Sequence, residues 1–332
     1  MEKFNFMHSN KWRISLLGVF AFLALAGIIV SIGAGSVYIS PEEICLSLSG
    51  EGSGTNDKIL MNIRLPRTIV AALVGINLSL SGAILQAVMK NPLADPHIIG
   101  ISSGAGLAGI MVLLMLPEST YLVTPVAFIG AMGAAVCIYI LAWKNGIRPI
   151  RIILAGVAVS AFLGAGISAL MIFYSDRVHG ALMWMVGGLA ARSWPHVNII
   201  LPYAVIGLIL ALASAAYLNI LQLGDEMARG LGVNVEVTRI ILTAIAALLA
   251  ASAVSVVGLL GFVGLVVPHA ARLLIGSDYR FLLPASALLG IAIVTLSDTF
   301  ARVIFAPIEL PVGIIMAFLG APFFLFLLRR EI

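Results

Sequence analysis

Charge is scarce in this sequence. Of its 332 residues only 10% are Asp, Glu, Lys or Arg, against 61% hydrophobic, and the mean hydropathy is +1.12. A soluble domain carries roughly 25% charged residues, so a chain solvated mainly by water is excluded and the bilayer is its solvent. Cysteine is nearly missing too. Cys45 and Cys137 stand far apart, which excludes a disulfide framework and a thiolate metal centre. Period-two alternation is absent, and with it the closed barrel, the other fold that satisfies backbone groups in lipid. No GxxxxGK followed by Ser or Thr occurs, so the chain has no phosphate loop with which to hydrolyse nucleotide. Neither HExxH nor a convergent nucleophile or carboxylate pair occurs within the apolar stretches, which counts against an intramembrane enzyme. The net charge of +4 implies no nucleic-acid partner, because in a membrane chain the position of the charges matters more than their sum.

What is present is a succession of apolar runs. A helix crossing ~30 Å of hydrocarbon needs ~20 mostly apolar residues, and ten segments qualify: 14–33, 68–88, 97–116, 121–143, 152–174, 197–217, 240–257, 258–275, 281–304 and 312–328. They predict one all-α membrane domain over 1–332. The seventh and eighth runs are nearly continuous and divide around Gly258 and Gly261. MEKFNFMHSNKWR before the first run has the basic flank of a signal peptide. The run is long for one, however, and lacks a small-x-small cleavage site, so it reads as an uncleaved span.

Ten spans put both termini on one side. If that side is the cytoplasm, Lys3, Lys11, Arg13, Lys90, Lys144, Arg148, Arg151, Arg229, Arg239, Arg272, Arg280, Arg329 and Arg330 fall inside, and the other six of the nineteen Lys and Arg fall outside. That bias follows the positive-inside rule. Arg67 and Pro96-His97 share their spacing with Arg239 and Pro268-His269, an echo that an inverted repeat would produce. Gly104, Gly106 and Gly109 spell GxGxxG, but no strand precedes them and no carboxylate follows at the dinucleotide distance, so they are read as a helix-packing surface.

The most informative segment is 218–239. Leu223, Met227 and Leu231 recur at i, i+4 and i+8, which predicts a short amphipathic helix. Gly224 and Asp225 with Glu226 stand at its start, Ala228 and Arg229 follow, and Gly230 and Gly232 can stop it. Asn234 can cap a second short helix. A lipid-surface helix would be rich in Lys and Arg; this one is balanced in charge and suits a groove on a protein.

The chain resembles the permeases of the iron-siderophore, haem and vitamin B12 type of ABC importer. The resemblance rests on RLPR (64–67), SGAILQAVMKNPLADPHIIGISSGAG (81–106), GDEMARGLG (224–232), GFVGLVVPHAARLLIGSDYR (261–280), and SDTFAR, ELPVGI and GAPFFLFLL within 297–328. It implies a type II importer architecture and a homodimer in the cytoplasmic membrane with a path at the subunit interface. Two cytoplasmic ATPase subunits carrying the ATP and Mg, and an extracytoplasmic binding protein, would complete it; this chain would bind no cofactor or metal. Leu223, Gly224, Asp225, Glu226, Met227, Ala228, Arg229, Leu231 and Gly232 would couple to the ATPase. Arg64, Arg67 and Arg302 would meet carboxylates of the binding protein, a task that suits the planar guanidinium fork. Interfacial anchoring is the other reading of Arg64 and Arg67, and Asp298 or Glu309 could neutralise Arg302. Asn91 and Leu93, in a turn kept out of helix by Pro92 and Pro96, would form part of a cytoplasmic gate. Asp95 is read as a cap for the third span. A ferric siderophore is the first-choice cargo, with haem, B12 and oxyanions open; His179, Trp184 and His196 in one outer loop are a hint of haem. The alternative class is a secondary transporter driven by an ion gradient, which would place acids at the membrane midplane.

Overall fold

The computed structural model describes residues 9–331 except 36, 38, 98–99 and 145–148, so Lys3 and Arg148 lie outside the described residues. The described chain is helical: α1 (Asn10–Gly33), α2 (Pro41–Ser49), α3 (Gly54–Val88), α4 (Ile101–Met115), α5 (Val123–Ala142), α6 (Pro149–Phe173), α7 (Val178–Val186), α8 (Trp194–Ala213), α9 (Ala215–Gln222), α10 (Asp225–Gly230), α11 (Val235–Val257), α12 (Val263–Ile275), α13 (Tyr279–Val303) and α14 (Val312–Glu331). Seven of the helices are long and apolar enough to cross a membrane, and the three shorter apolar helices are α4, α12 and α14.

Local chemistry sets the ends of these helices. Ser9 caps α1 by accepting from Trp12 N, and Ser40 and Glu43 close a capping box on α2. Asn234 caps the long α11 through Val237 N, rather than a second short helix. α3 begins well before its apolar run and passes through one π turn at Leu60–Arg64.

α3 is the axis of the bundle, packed by α8, α11, α12 and α13. Its small residues explain the closeness. A methyl at Gly75 would collide with the Gly290 carbonyl of α13, and one at Gly82 with the Gly264 carbonyl of α12. α11 runs antiparallel to α3, pinned by Asn77 Nδ2 to Ser252 Oγ (2.9 Å) and Ser81 Oγ to the Ala246 carbonyl (2.7 Å). The GxGxxG glycines serve helix packing: Gly104 meets Gly130 of α5, and Gly109 lies against the Trp184 ring.

Between α11 and α12 the helix breaks. Gly258 and Phe262 take positive φ, and the freed backbone finds partners on the α7 side. Leu259 N donates to the Trp184 carbonyl (3.2 Å), and Gly188 N to the Val257 carbonyl (2.8 Å). Irregular backbone at membrane depth is tolerated when it is buried in protein in this way.

Candidate functional site

The helix directions give the bundle two polar ends. One end gathers α9, α10, the last turn of α3 and the first turns of α11 and α13. Here the Asp225 carboxylate accepts from Lys90 Nζ (2.7 Å) and from both Nη atoms of Arg239 (2.8 and 3.0 Å). Burial alone would raise its pKa, but Lys90 and Arg239 outweigh burial and hold it below the usual carboxylate range. A second chain of contacts joins α9 to the same turn of α3. Asn219 bonds Asp278 and Tyr279 N, the Tyr279 hydroxyl reaches the Ala83 carbonyl (3.2 Å), and Arg272 bonds Gln86 (2.8 Å). The segment is therefore fixed to α3 from two sides.

Its outer face is left bare. Leu223, Met227 and Leu231 are 55%, 61% and 61% exposed, while Ala228 on the opposite side is fully buried. Glu226, Arg229 and Gly232 are exposed and Gly224 is half-buried. The single helix expected over 223–231 is broken: Leu223 closes α9, Gly224 turns the chain at φ 103°, and of the three only Met227 lies within α10, with Leu231 just after it. The three exposed apolar side chains, on and beside an α10 clamped by ion pairs, make a knob for a complementary groove.

The opposite end is an arginine cluster. Arg64, Arg67 and Arg302 are only 4–5% exposed. Arg64 donates to the carbonyls of Ile32, Gly33 and Val37, which ties the end of α1 to α3. Arg67 clasps Asp298 through Nε (3.0 Å) and Nη2 (2.9 Å) and bonds Glu309 (2.7 Å). Asp298 also pairs with Arg302 (3.2 Å), whose Nη2 reaches the Ser31 carbonyl (3.0 Å). Of the two candidate partners for Arg302, Asp298 is the one in place, and Glu309 serves Arg67 instead.

A model of the FecCD transport family matches residues 23–330. The chain belongs to that family. It is 42% identical over 314 residues to the Fe(3+)-citrate import system permease protein YfmE of Bacillus subtilis, covering 94% of each chain. It is 39% identical to the hemin transport system permease protein HmuU of Yersinia pestis (93% of this chain, 95% of that one). With the cobalamin import system permease protein BtuC of Halobacterium salinarum it shares 46% over 281 residues (84% and 75%). Among solved structures, a metal-chelate type ABC transporter in an inward-facing conformation superposes with a TM-score of 0.84 at 26% identity, covering 95% of this chain and 99% of that one. As a FecCD-family chain it is a multi-pass membrane permease of the ABC-importer type and not an enzyme.

The other residues singled out in the sequence lie around this frame. Asn91 and Leu93 are half-buried in a turn that follows Lys90, itself at φ 49°, and Asn91 Oδ1 accepts from Leu93 N (2.9 Å). Asp95 accepts from His97 N (2.8 Å) and so shapes this turn; it does not cap α4, whose N-cap is Gly100. His179 stands apart from Trp184 and His196, which line one cleft. His179 is exposed, Trp184 is packed on Gly109, and His196 closes a capping box with Ser193. No group of three or more His, Cys, Asp or Glu among the described residues is placed to hold a metal ion. Lys90, Gln86, Asn219 and Tyr279 were not visible as functional positions in the sequence, because their partners lie 59 to 196 residues away. Beside the arginine cluster, a cleft of about 310 Å³ opens between α7, α8 and the α13–α14 turn. Arg192 lines it, its pKa pushed down to about 10 by burial and by the charge of Arg67.

Proposed function

We propose that two copies of this chain form the membrane path of an importer that carries a ferric chelate into the cytoplasm. Ferric siderophore-type complexes are the leading cargo class. The observation that carries this reading is the bare apolar surface of Leu223, Met227 and Leu231, on and beside α10, which the ion pairs of Asp225 with Lys90 and Arg239 immobilise. It gives a separate ATPase, holding ATP and Mg, a rigid surface to push. The names of the relatives support the cargo: ferric citrate, ferric hydroxamate, hemin and cobalamin import. In this reading the start of α1, the end of α14 and the α9–α10 segment face the cytoplasm. Movement of α10 reaches the gate turn at Asn91 and Leu93 through Lys90, and the path opens alternately to each side.

At the outer end, docking of a binding protein at Arg64, Arg67 and Arg302 takes the form of an exchange. Incoming carboxylates compete with Asp298 and Glu309 for guanidinium groups that are already occupied. A gradient-driven mechanism finds little to work with here. The acids an ion would need, Asp298 and Glu309, are committed to arginines near one end of the bundle rather than free at its middle.

The cargo is tested with proteoliposomes containing the chain, its ATPase and its binding protein, offered ferric citrate, a ferric hydroxamate, haemin and cobalamin in turn. ATP-dependent uptake of a ferric chelate at least about tenfold above the two macrocycles is the expected result. Preferential uptake of haemin or cobalamin overturns the cargo assignment.

A further inference from the structure

The outer-end cluster is unbalanced in charge. Among the described residues, only Asp298 and Glu309 form ion pairs within the cluster of Arg64, Arg67, Arg192 and Arg302; the other acids toward this end, such as Glu43, Asp57, Glu118 and Asp176, pair with none of the four. Asp298 is divided between Arg67 and Arg302, Glu309 is taken by Arg67, and Arg64 is spent on backbone carbonyls. Among the described residues, no carboxylate pairs with Arg192. Its one side-chain partner is His196 Nε2 (3.2 Å), another base, and its Nε is buried with no partner. A guanidinium carries five N–H donors, so most of its capacity is unspent, and a half-buried cation without a counter-ion is costly.

The backbone shows how Arg192 comes to point there. Ala191, the residue before it, takes φ 57°, a left-handed conformation that alanine rarely adopts. Such strain persists only where the surroundings hold it, and it gathers at ligand sites. The turn ends with Arg192 and His196 on one wall of the cleft. Thr120 and Thr124 add hydroxyls, Trp184 supplies a flat apolar face, and Glu309 stands in the wall with its charge taken up by Arg67. At about 310 Å³ the cleft lies at the small end of ligand pockets. It suits one carboxylate arm of a chelate better than a macrocycle.

We propose that this cleft binds a carboxylate group of the transported ferric chelate through Arg192, with the two threonine hydroxyls as auxiliary donors. The proposal rests on the ferric-chelate reading above and narrows it to chelates that carry free carboxylates. The Arg192 guanidinium then has its counter-ion in the cargo, and Arg192 becomes a specificity-determining residue for the outer vestibule.

The test uses the full chain in lipid nanodiscs, with neither ATPase nor binding protein, titrated with citrate at constant ionic strength. Binding is followed by calorimetry and by fluorescence of the tryptophans, of which Trp184 lines the cleft. Saturable citrate binding is expected. Arg192→Gln should weaken it at least about tenfold, as expected for losing a charge-assisted hydrogen-bonded pair. Arg192→Lys should fall between the two, which guards against a mere loss of folding, and Arg177→Gln, an exposed cation away from the cleft lining, should bind like the wild type. A neutral ferric trihydroxamate should not compete. Equal citrate affinity in the wild type and Arg192→Gln overturns the proposal, as does a wild type that fails to saturate. If the wild type ignores citrate while Arg192→Gln loses affinity for the binding protein, the arginine belongs to docking and the proposal also fails. None of these outcomes touches import itself, which the uptake panel judges separately.

Discussion

Asp298→Ala should be the most destabilising single substitution at the outer end, lowering stability by about 3–5 kcal/mol in thermal unfolding of the detergent-solubilised chain. Asp298 is fully buried and is the only carboxylate shared by two arginines in the cluster. Removing it leaves the Nε and Nη2 donors of Arg67 without their acceptor and Arg302 without its i−4 partner. Two guanidinium charges then face each other in a site that excludes water. Glu309→Ala should cost far less, about 1 kcal/mol or below, because the Glu309 side chain is 38% exposed and its partner keeps Asp298. If the two substitutions proved equally mild, the arginines would be solvated rather than locked, and ready docking by a binding protein would need no exchange of partners.

Met227→Asp combined with Leu231→Asp should abolish capture of the ATPase and leave the permease folded. Both side chains are 61% exposed, so replacing them disturbs no internal packing, and surface changes of this kind usually stay within about 0.5 kcal/mol of stability. At an interface the same residues would be anchors. Losing two anchors at about 2 kcal/mol each lowers affinity about a thousandfold. Ala228→Asp is the contrasting case: Ala228 is fully buried, and a carboxylate there should unseat α10 itself. Retained ATPase capture by the double variant, measured by co-purification from membranes, would place the interface elsewhere.

The helical membrane architecture was legible in the sequence because lipid imposes a one-dimensional rule, a minimum length of apolar residues. Leu223, Met227 and Leu231 were legible as an exposed apolar set from their local period, but the one helix that period predicts was not, because Gly224 at φ 103° divides the segment into α9 and α10. What escaped was set by contacts far apart in the chain. Arg64 and Arg67 precede the second apolar run and so read as free charges at a helix mouth. The helix in fact starts at Gly54, and both arginines lie within it, turned toward α1 and toward α13. Glu309 sits nearer Arg302 in sequence yet pairs with Arg67, whose number differs from its own by 242. Asp95 looked like a helix cap from its position before an apolar run; its turn instead closes on His97 N, and Gly100 begins the helix. Lys90 carried no local sign of its role, since only the fold brings the end of α3 beside Asp225.

In the proposed function, energy enters through α10 from a neighbouring ATPase. The most direct measurement is iron uptake by sealed proteoliposomes containing this chain and its binding protein, with the ATPase present or omitted and with either ATP or an imposed proton gradient supplied. Uptake only where both ATPase and ATP are present, and its disappearance in the Met227→Asp, Leu231→Asp variant, is the predicted result. Uptake driven by the gradient with no ATPase in the vesicle would contradict it.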